Sequence, residues 1–290
     1  MPVRKLAMIL ARCCFLVVLV IVLGMIFADL RLPPWPAAGL AVFPIVTFVT
    51  LGRLTSAALK RTARTPVEVA APVSGRWLAH NSPADKVPSH GLHGYGQTYA
   101  IDILVAPDPD TRPPFAMLWP LARGNSRYPA FGAPVLAVAD ATVVHVLDGR
   151  RDHLTRTSFP ALAWMMLIEG MVREATGPSW IVGNHVILDL GDGTYAAYAH
   201  LKQGSVTVAV GDTVRTGQRI ADCGNTGNST EPHLHFQLMD GPDLDTARGI
   251  PFTWRGIGVP ANGESFTPEQ STPEAESTPE KEAAPAERLD

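Results

Sequence analysis

Hydrophobic and polar positions divide this chain into three textures. From Leu6 to Ala28 it is apolar except for Arg12, and Cys13–Ala28 is an uncharged run dense in Val, Leu and Ile. With Leu6–Ala11 added, the run is long enough for a helix to cross a hydrocarbon core of about 30 Å. Arg4 and Lys5 would also suit the n-region of a signal peptide, but no small-x-small cleavage site with a polar start follows. The pattern predicts an uncleaved anchor, with a transmembrane helix over 6–28. A second uncharged stretch, Leu32–Gly52, carries Pro33, Pro34, Pro36 and Pro44, which interrupt a continuous helix. It reads as a second span or a re-entrant segment over 34–52, so that residues 1–64 form a membrane anchor of one or two helices.

The middle texture runs from Arg76 to about Gly263, as short β-type runs broken by Gly, Asn, Asp and Pro. Examples are Ala141-Thr-Val-Val-His-Val-Leu and His185-Val-Ile-Leu-Asp-Leu, the latter ending at Gly191-Asp-Gly. These predict an all-β domain of antiparallel strands over 72–263. Pro160–Glu174, with Leu162, Trp164, Met165, Met166, Leu167 and Ile168, breaks the pattern and predicts a short helix between two strands. That helix would pack on the sheet, or act as a lid facing the membrane or the substrate. The last texture, 264–290, repeats Thr-Pro-Glu amid Ser, Ala and Glu and is predicted to be disordered.

Charge sharpens this partition. The formal net charge of −3 averages a tail of −6 with a remainder of +3. Neither part clusters Lys and Arg on one face, so no nucleic acid partner is expected. Three cysteines, two of them adjacent at Cys13 and Cys14 in the apolar run, exclude a disulfide scaffold.

The candidate chemistry lies in the histidines. In His233-Leu234-His235, alternation along a strand puts both imidazoles on one face and Leu234 on the other. Tyr195-Ala-Ala-Tyr-Ala-His-Leu places His200 at the end of a second β-type run, Tyr99-Ala-Ile-Asp-Ile places Asp102 inside a third, and His90 and His93 lie upstream. Three ligands from His and Asp/Glu with an open fourth position is the inventory of a catalytic zinc site. His145 and His185 read as ordinary strand residues, His80 and His153 as surface residues, and Asp192 and Asp212 as turn formers.

The segments Tyr198-Ala-His-Leu, Val208–Gly217 and Gly224–Phe236 resemble the lysostaphin/LytM-type zinc endopeptidases, the M23 metallopeptidase family. The resemblance implies an antiparallel β fold, Zn2+ as cofactor and peptidoglycan peptides as substrate. It makes Asp102 and His235 metal ligands, with His233 as general base and His200 orienting the nucleophile or stabilising the oxyanion. Most of the family has a His four residues before the Asp, where this chain has Thr98. The first ligand must then come from His90 or His93. An Asn-x-Pro segment before a displaced His, here Asn81-Ser-Pro, is similar to variant members and favours His90, with His93 as the alternative. If neither bound metal, the domain would be a non-catalytic peptidoglycan-binding or hydrolase-regulating protein. Val208–Gly217 also resembles the hairpin of biotinyl and lipoyl carriers, but no Lys sits at the expected turn. Relative to a compact family domain, 108–128 and 151–180 are inserts that could wall the cleft.

Topology adds a conflict. Arg4, Lys5 and Arg12 before the first apolar segment, with Arg53, Lys60, Arg61 and Arg64 after the second, put both ends in the cytoplasm if both segments cross. Cutting the cell wall requires export, so the expected localisation is the cell membrane with the peptidase domain extracytoplasmic.

Overall fold

The computed structural model describes residues 3–28, 64–106 and 112–269, with scattered positions between 31 and 57. About half of the second apolar segment, 34–52, lies outside the described residues. So do the beginning of the first insert and the tail from 270 onward. The first apolar run forms one helix, α1 (Val3–Phe27). Among the described residues, no helix is long and apolar enough to cross a membrane.

Strands dominate the rest. They are β1 (Val67–Val69), β2 (Trp77–His80), β3 (Ile101–Val105), β4 (Pro134–Leu136), β5 (Ala141–Leu147), β6 (Asn184–Asp189), β7 (Tyr195–Leu201), β8 (Thr213–Val214), β9 (Arg219–Asp222), β10 (Leu234–Met239), β11 (Gly249–Ile250), β12 (Phe252–Trp254) and β13 (Ser265–Phe266). The main sheet is antiparallel in the order β13-β2-β3-β10-β7-β6-β5-β8, with β11 added to β10. Two small ladders, antiparallel β4-β9 and parallel β1-β12, complete the sheet-rich fold.

Strand pairing reaches past both ends of 72–263. Val67–Val69 pairs with Phe252–Trp254 ahead of the expected start at 72, and Ser265–Phe266 pairs with β2 beyond the expected end at 263. Phe266 is buried against Trp254, so apolar burial carries the fold into the first residues of the Pro- and Glu-rich tail.

Alternation along the strands explains the core. Leu234, Phe236 and Leu238 of β10 face the same core as Ile101 and Ile103 of β3 and Tyr198 of β7. Phe236 meets Phe252 edge to face at 5.2 Å, an arrangement that matches the ring quadrupoles. The opposite face of the sheet carries Ile187, Ala197, Ala199 and Met239 in a smaller cluster. Asp102 and His235 sit on that second face because each lies one residue out of phase with the core.

The predicted helix is present and longer than expected. Ser158 caps α2 (Phe159–Trp164) by accepting from Ala161 N. A π-helical turn (Met165–Glu169) leads into α3 (Gly170–Thr176), and α4 (Pro178–Val182) follows after Gly177. Helix α1 packs against α3.

Candidate functional site

The sheet register assembles the site. His235 on β10 stands opposite Asp102 on β3 and Ala199 on β7, and Asp102 also stands opposite His80 at the end of β2. Asn81, the next residue, turns with φ +47° and donates its Nδ2 to Asp102 Oδ2 at 2.8 Å. His90, on the long connection between β2 and β3, brings Nε2 to 3.0 Å of the same oxygen. On the other carboxylate oxygen, His235 Nδ1 lies at 2.9 Å and His233 Nε2 at 3.6 Å.

His200 reaches the cleft by leaving the strand pattern. Strict alternation would put it beside Tyr198 in the main core, yet Leu201 enters that core instead. The backbone at His200 adopts φ +60°, uncommon for a residue with a side chain, and this reverses the alternation. His200 Nδ1 then donates to Thr226 O at 2.8 Å, so the neutral ring presents a bare Nε2. His233 is held likewise, with Nδ1 donating to Glu231 O at 2.8 Å and Ser229 Oγ 3.1 Å away. The two rings lie 4.8 Å apart.

The electrostatics follow from burial and proximity. Burial alone would raise the Asp102 carboxyl, but His90, His233 and His235 beside it hold it well below its ordinary value. Burial lowers His200, and the neighbouring imidazoles lower it further. For His233, burial also acts downward, but the Asp102 carboxylate more than offsets it and the net shift is upward.

His90, Asp102 and His235 offer ligand atoms that all lie within 4.8 Å of one another. Two imidazole nitrogens and a carboxylate form a donor set suited to zinc. The outer contacts fix their orientation: His235 Nε2 donates to Gln237 Oε1 at 3.0 Å, so Nδ1 is the ring nitrogen turned to Asp102, and His90 Nδ1 lies 3.0 Å from Ser89 Oγ. His93 is not part of this group; its Nδ1 faces Thr98 Oγ1 at 3.1 Å.

The cleft holds about 480 Å³, and besides the site residues it is lined by Tyr95, Met166, Met171 and Glu174. The three last-named residues come from the helical insert, which therefore forms a wall of the site. The Asn225–Ser229 loop forms another. Asn228 N donates to Ile181 O at 2.7 Å, and a Cβ on Gly227, at φ +72°, would fall 2.4 Å from that same oxygen. The first insert is tied in through Arg112, whose guanidinium pairs both carboxylate oxygens of Glu231, two residues before His233. Asn225 Nδ2 donates to Asn125 Oδ1 at 2.8 Å, fixing the insert to the loop.

Outside the cleft, His80 is exposed as expected. His145 and His185 stack at 4.8 Å on neighbouring strands, and Asp192 occupies its turn at φ +51°. His153 departs from the expectation of a surface residue. Its ring is partly buried between two backbone carbonyls, Leu154 O at 2.8 Å and Gly227 O at 2.9 Å.

Sequence reasoning passed over Gln237, Glu174 and Thr226. Gln237 had a usable signal, since it lies two residues beyond His235 and shares its face of the strand. Thr226 acts through its carbonyl, which no side-chain pattern reveals.

Residues 165–246 match the model of peptidase family M23. Over 105 residues the chain is 35% identical to lysostaphin of Staphylococcus simulans, covering 36% of this chain and 21% of that protein. Over 57 residues it is 42% identical to the peptidoglycan DD-endopeptidase ShyA of Vibrio cholerae serotype O1, covering 20% of this chain and 13% of that protein. The chain thus spans about a fifth or less of the length of these two relatives. Among solved structures, the catalytic domain of lysostaphin from Staphylococcus simulans aligns with 55% of this chain and 76% of that chain, at 25% identity and a TM-score of 0.30.

Proposed function

We propose that this protein is a zinc-dependent metalloendopeptidase that hydrolyses peptide bonds in bacterial peptidoglycan. The observation that carries the reading is the convergence of His90, Asp102 and His235 opposite the bare Nε2 atoms of His200 and His233. The M23 match over the segment from the helical insert through the His-x-His strand supports the reaction class. A relative whose name records peptidoglycan endopeptidase activity supports the substrate.

His90, Asp102 and His235 would hold the zinc, with Gln237, Ser89 and Asn81 fixing their orientations. Zinc bound there supplies a Lewis acid that polarises the scissile carbonyl and makes water a nucleophile near neutral pH. His233 acts as general base: Glu231 O occupies its Nδ1–H, leaving Nε2 to take the proton of the attacking water. The Asp102 carboxylate, 3.6 Å away, favours the imidazolium that results. His200 accepts a hydrogen bond from the water through Nε2 and orients it. While neutral it has no donor there, so stabilising an oxyanion falls to it only once it is protonated.

The same reading places the protein at the cell membrane, anchored through Leu6–Ala28, with the peptidase domain outside the cytoplasm where peptidoglycan lies. The uncharged run Cys13–Ala28 of the sequence supports the anchor, though no helix among the described residues meets the length and apolarity of a full span, and the substrate supports the side. A reporter fused after Arg64 should be active only in the extracytoplasmic compartment; cytoplasmic activity would require another substrate.

The deciding experiment pairs zinc content with hydrolysis in the full chain. About one zinc per chain is expected, lost on His235→Ala. His233→Ala should keep the metal while slowing peptidoglycan hydrolysis by at least about 100-fold. Hydrolysis that survives both substitutions and a chelator would overturn the enzyme reading.

A further inference from the structure

The two inserts meet to form an apolar face beside the cleft. Met117, Leu118 and Trp119 are 71%, 70% and 79% exposed, and on the adjoining helix Trp164, Met166 and Leu167 are 56%, 64% and 64% exposed. The two segments are joined rather than merely adjacent. Ala116 N donates to Thr157 O at 2.9 Å, Ser158 Oγ to Leu121 O at 2.7 Å, and Phe115 packs edge to face on Phe159 at 5.1 Å.

The helix is inverted relative to one that faces water. Of the acids on this helical insert, Glu174 lines the cleft and Glu169 is turned into the body of the domain, paired with Arg156 at 2.7 Å and Arg173 at 3.0 Å. Trp164 donates its indole N–H to the same carboxylate at 2.9 Å, so its only polar atom is satisfied and its hydrocarbon points outward. A helix that hides its charge and exposes Trp, Met and Leu matches an apolar medium, and Trp and Phe at such a face favour the boundary between headgroups and acyl chains. Large contiguous apolar patches on soluble surfaces mark interaction sites.

What covers this face is indicated by α1. That helix packs against α3, which continues the chain of α2 and the π turn, and it too exposes apolar side chains, among them Val20 at 67% and Phe27 at 81%. We propose that Phe115–Leu121 and Phe159–Leu167 form a second membrane contact, docking on the lipid surface beside α1 and holding the cleft at the bilayer. The inference rests on the anchored reading given above, since α1 must enter the bilayer for its neighbour to lie there. Met166 belongs both to the exposed face and to the cleft lining, so the docked face and the site share a border.

The test uses the full chain reconstituted into phosphatidylethanolamine/phosphatidylglycerol vesicles carrying phospholipids brominated high on the acyl chain. Tryptophan quenching by the brominated lipid is compared between the parent and Trp119→Phe/Trp164→Phe. The expected result is at least a twofold drop in lipid-dependent quenching in the double variant, with acrylamide quenching little changed. Equal lipid quenching in both chains, together with a loss of acrylamide quenching in the variant, would place these side chains in water and overturn the proposal. Shielding from acrylamide that grows with protein density and owes nothing to brominated lipid would assign the face to a second copy, also overturning it. Retention on vesicles after an alkaline wash reads the anchor separately. A retained chain whose Trp119 and Trp164 are wet sinks the docking alone, and a stripped chain sinks the anchor and the docking with it.

Discussion

Replacing Gln237 by leucine isolates how far the proposed metal site depends on a residue that supplies no ligand atom. Gln237 is 2% exposed; its Oε1 accepts from His235 Nε2 at 3.0 Å and its Nε2 donates to Tyr95 O at 2.7 Å. Leucine is of broadly similar volume, but His235 Nε2–H loses its acceptor and Tyr95 O its donor at a buried position. A buried donor stripped of its partner costs about 1–3 kcal/mol of stability. The same bond fixes the tautomer that leaves Nδ1 for zinc, and losing such an outer contact typically weakens metal binding about 10- to 100-fold. Gln237→Glu is the informative control. It keeps the acceptor for His235 but loses the donor to Tyr95 O, so zinc affinity should stay within about threefold while stability still falls by about 1–2 kcal/mol. Competitive zinc titration against a chromophoric chelator reads the first quantity and urea unfolding of the apo chain the second. A leucine variant that binds zinc as tightly as the parent would refute the reasoning, because His235 would then need no help to present Nδ1.

Other consequences follow from particular contacts. His90→Ala should abolish stoichiometric zinc while His93→Ala retains it, read by metal analysis after dialysis; equal losses would undo the choice of first ligand. Gly227→Ala forces a Cβ to 2.4 Å from Ile181 O at φ +72°. It should cost at least about 2 kcal/mol, seen as a lower urea midpoint, and loosen the loop that holds His200. His185, buried and lowered to about 4 from 6.5, titrates lower in the folded chain than in the unfolded one. The unfolded state therefore binds the extra proton between these values, and the stability supplied by neutral His185 is full above about pH 6.5 and declines as pH falls toward 4. Relative to His185→Leu, the parent should lose about 2–3 kcal/mol more between pH 7 and pH 4; parallel curves would show that burial of His185 carries no such penalty.

The amino-acid pattern by itself determined a good deal. Alternation around Leu234 and around Asp102 assigns both to strands and puts His233, His235 and Asp102 out of phase with the core, because the side-chain period of a strand is two. The apolar run Leu6–Ala28 predicts one helix, and Pro160–Glu174 predicts another in a chain of strands; both form. These features are local, and local rules reach them. Tertiary structure alone decided what depends on distant partners. His200 faces the cleft only through a positive φ that breaks its strand's alternation, held by the carbonyl of Thr226, 26 residues away. His90 rather than His93 approaches Asp102 because the connection after β2 folds back with Asn81 and Ser89 bonded into the site, and spacing cannot show which of two histidines on one loop will arrive. The outward turn of Trp164 and Leu167 has a local part, the one-turn pair of Glu169 with Arg173, and a non-local part, Arg156 from outside the helix. Together they draw Glu169 inward and leave the apolar side of the helix facing away from the domain.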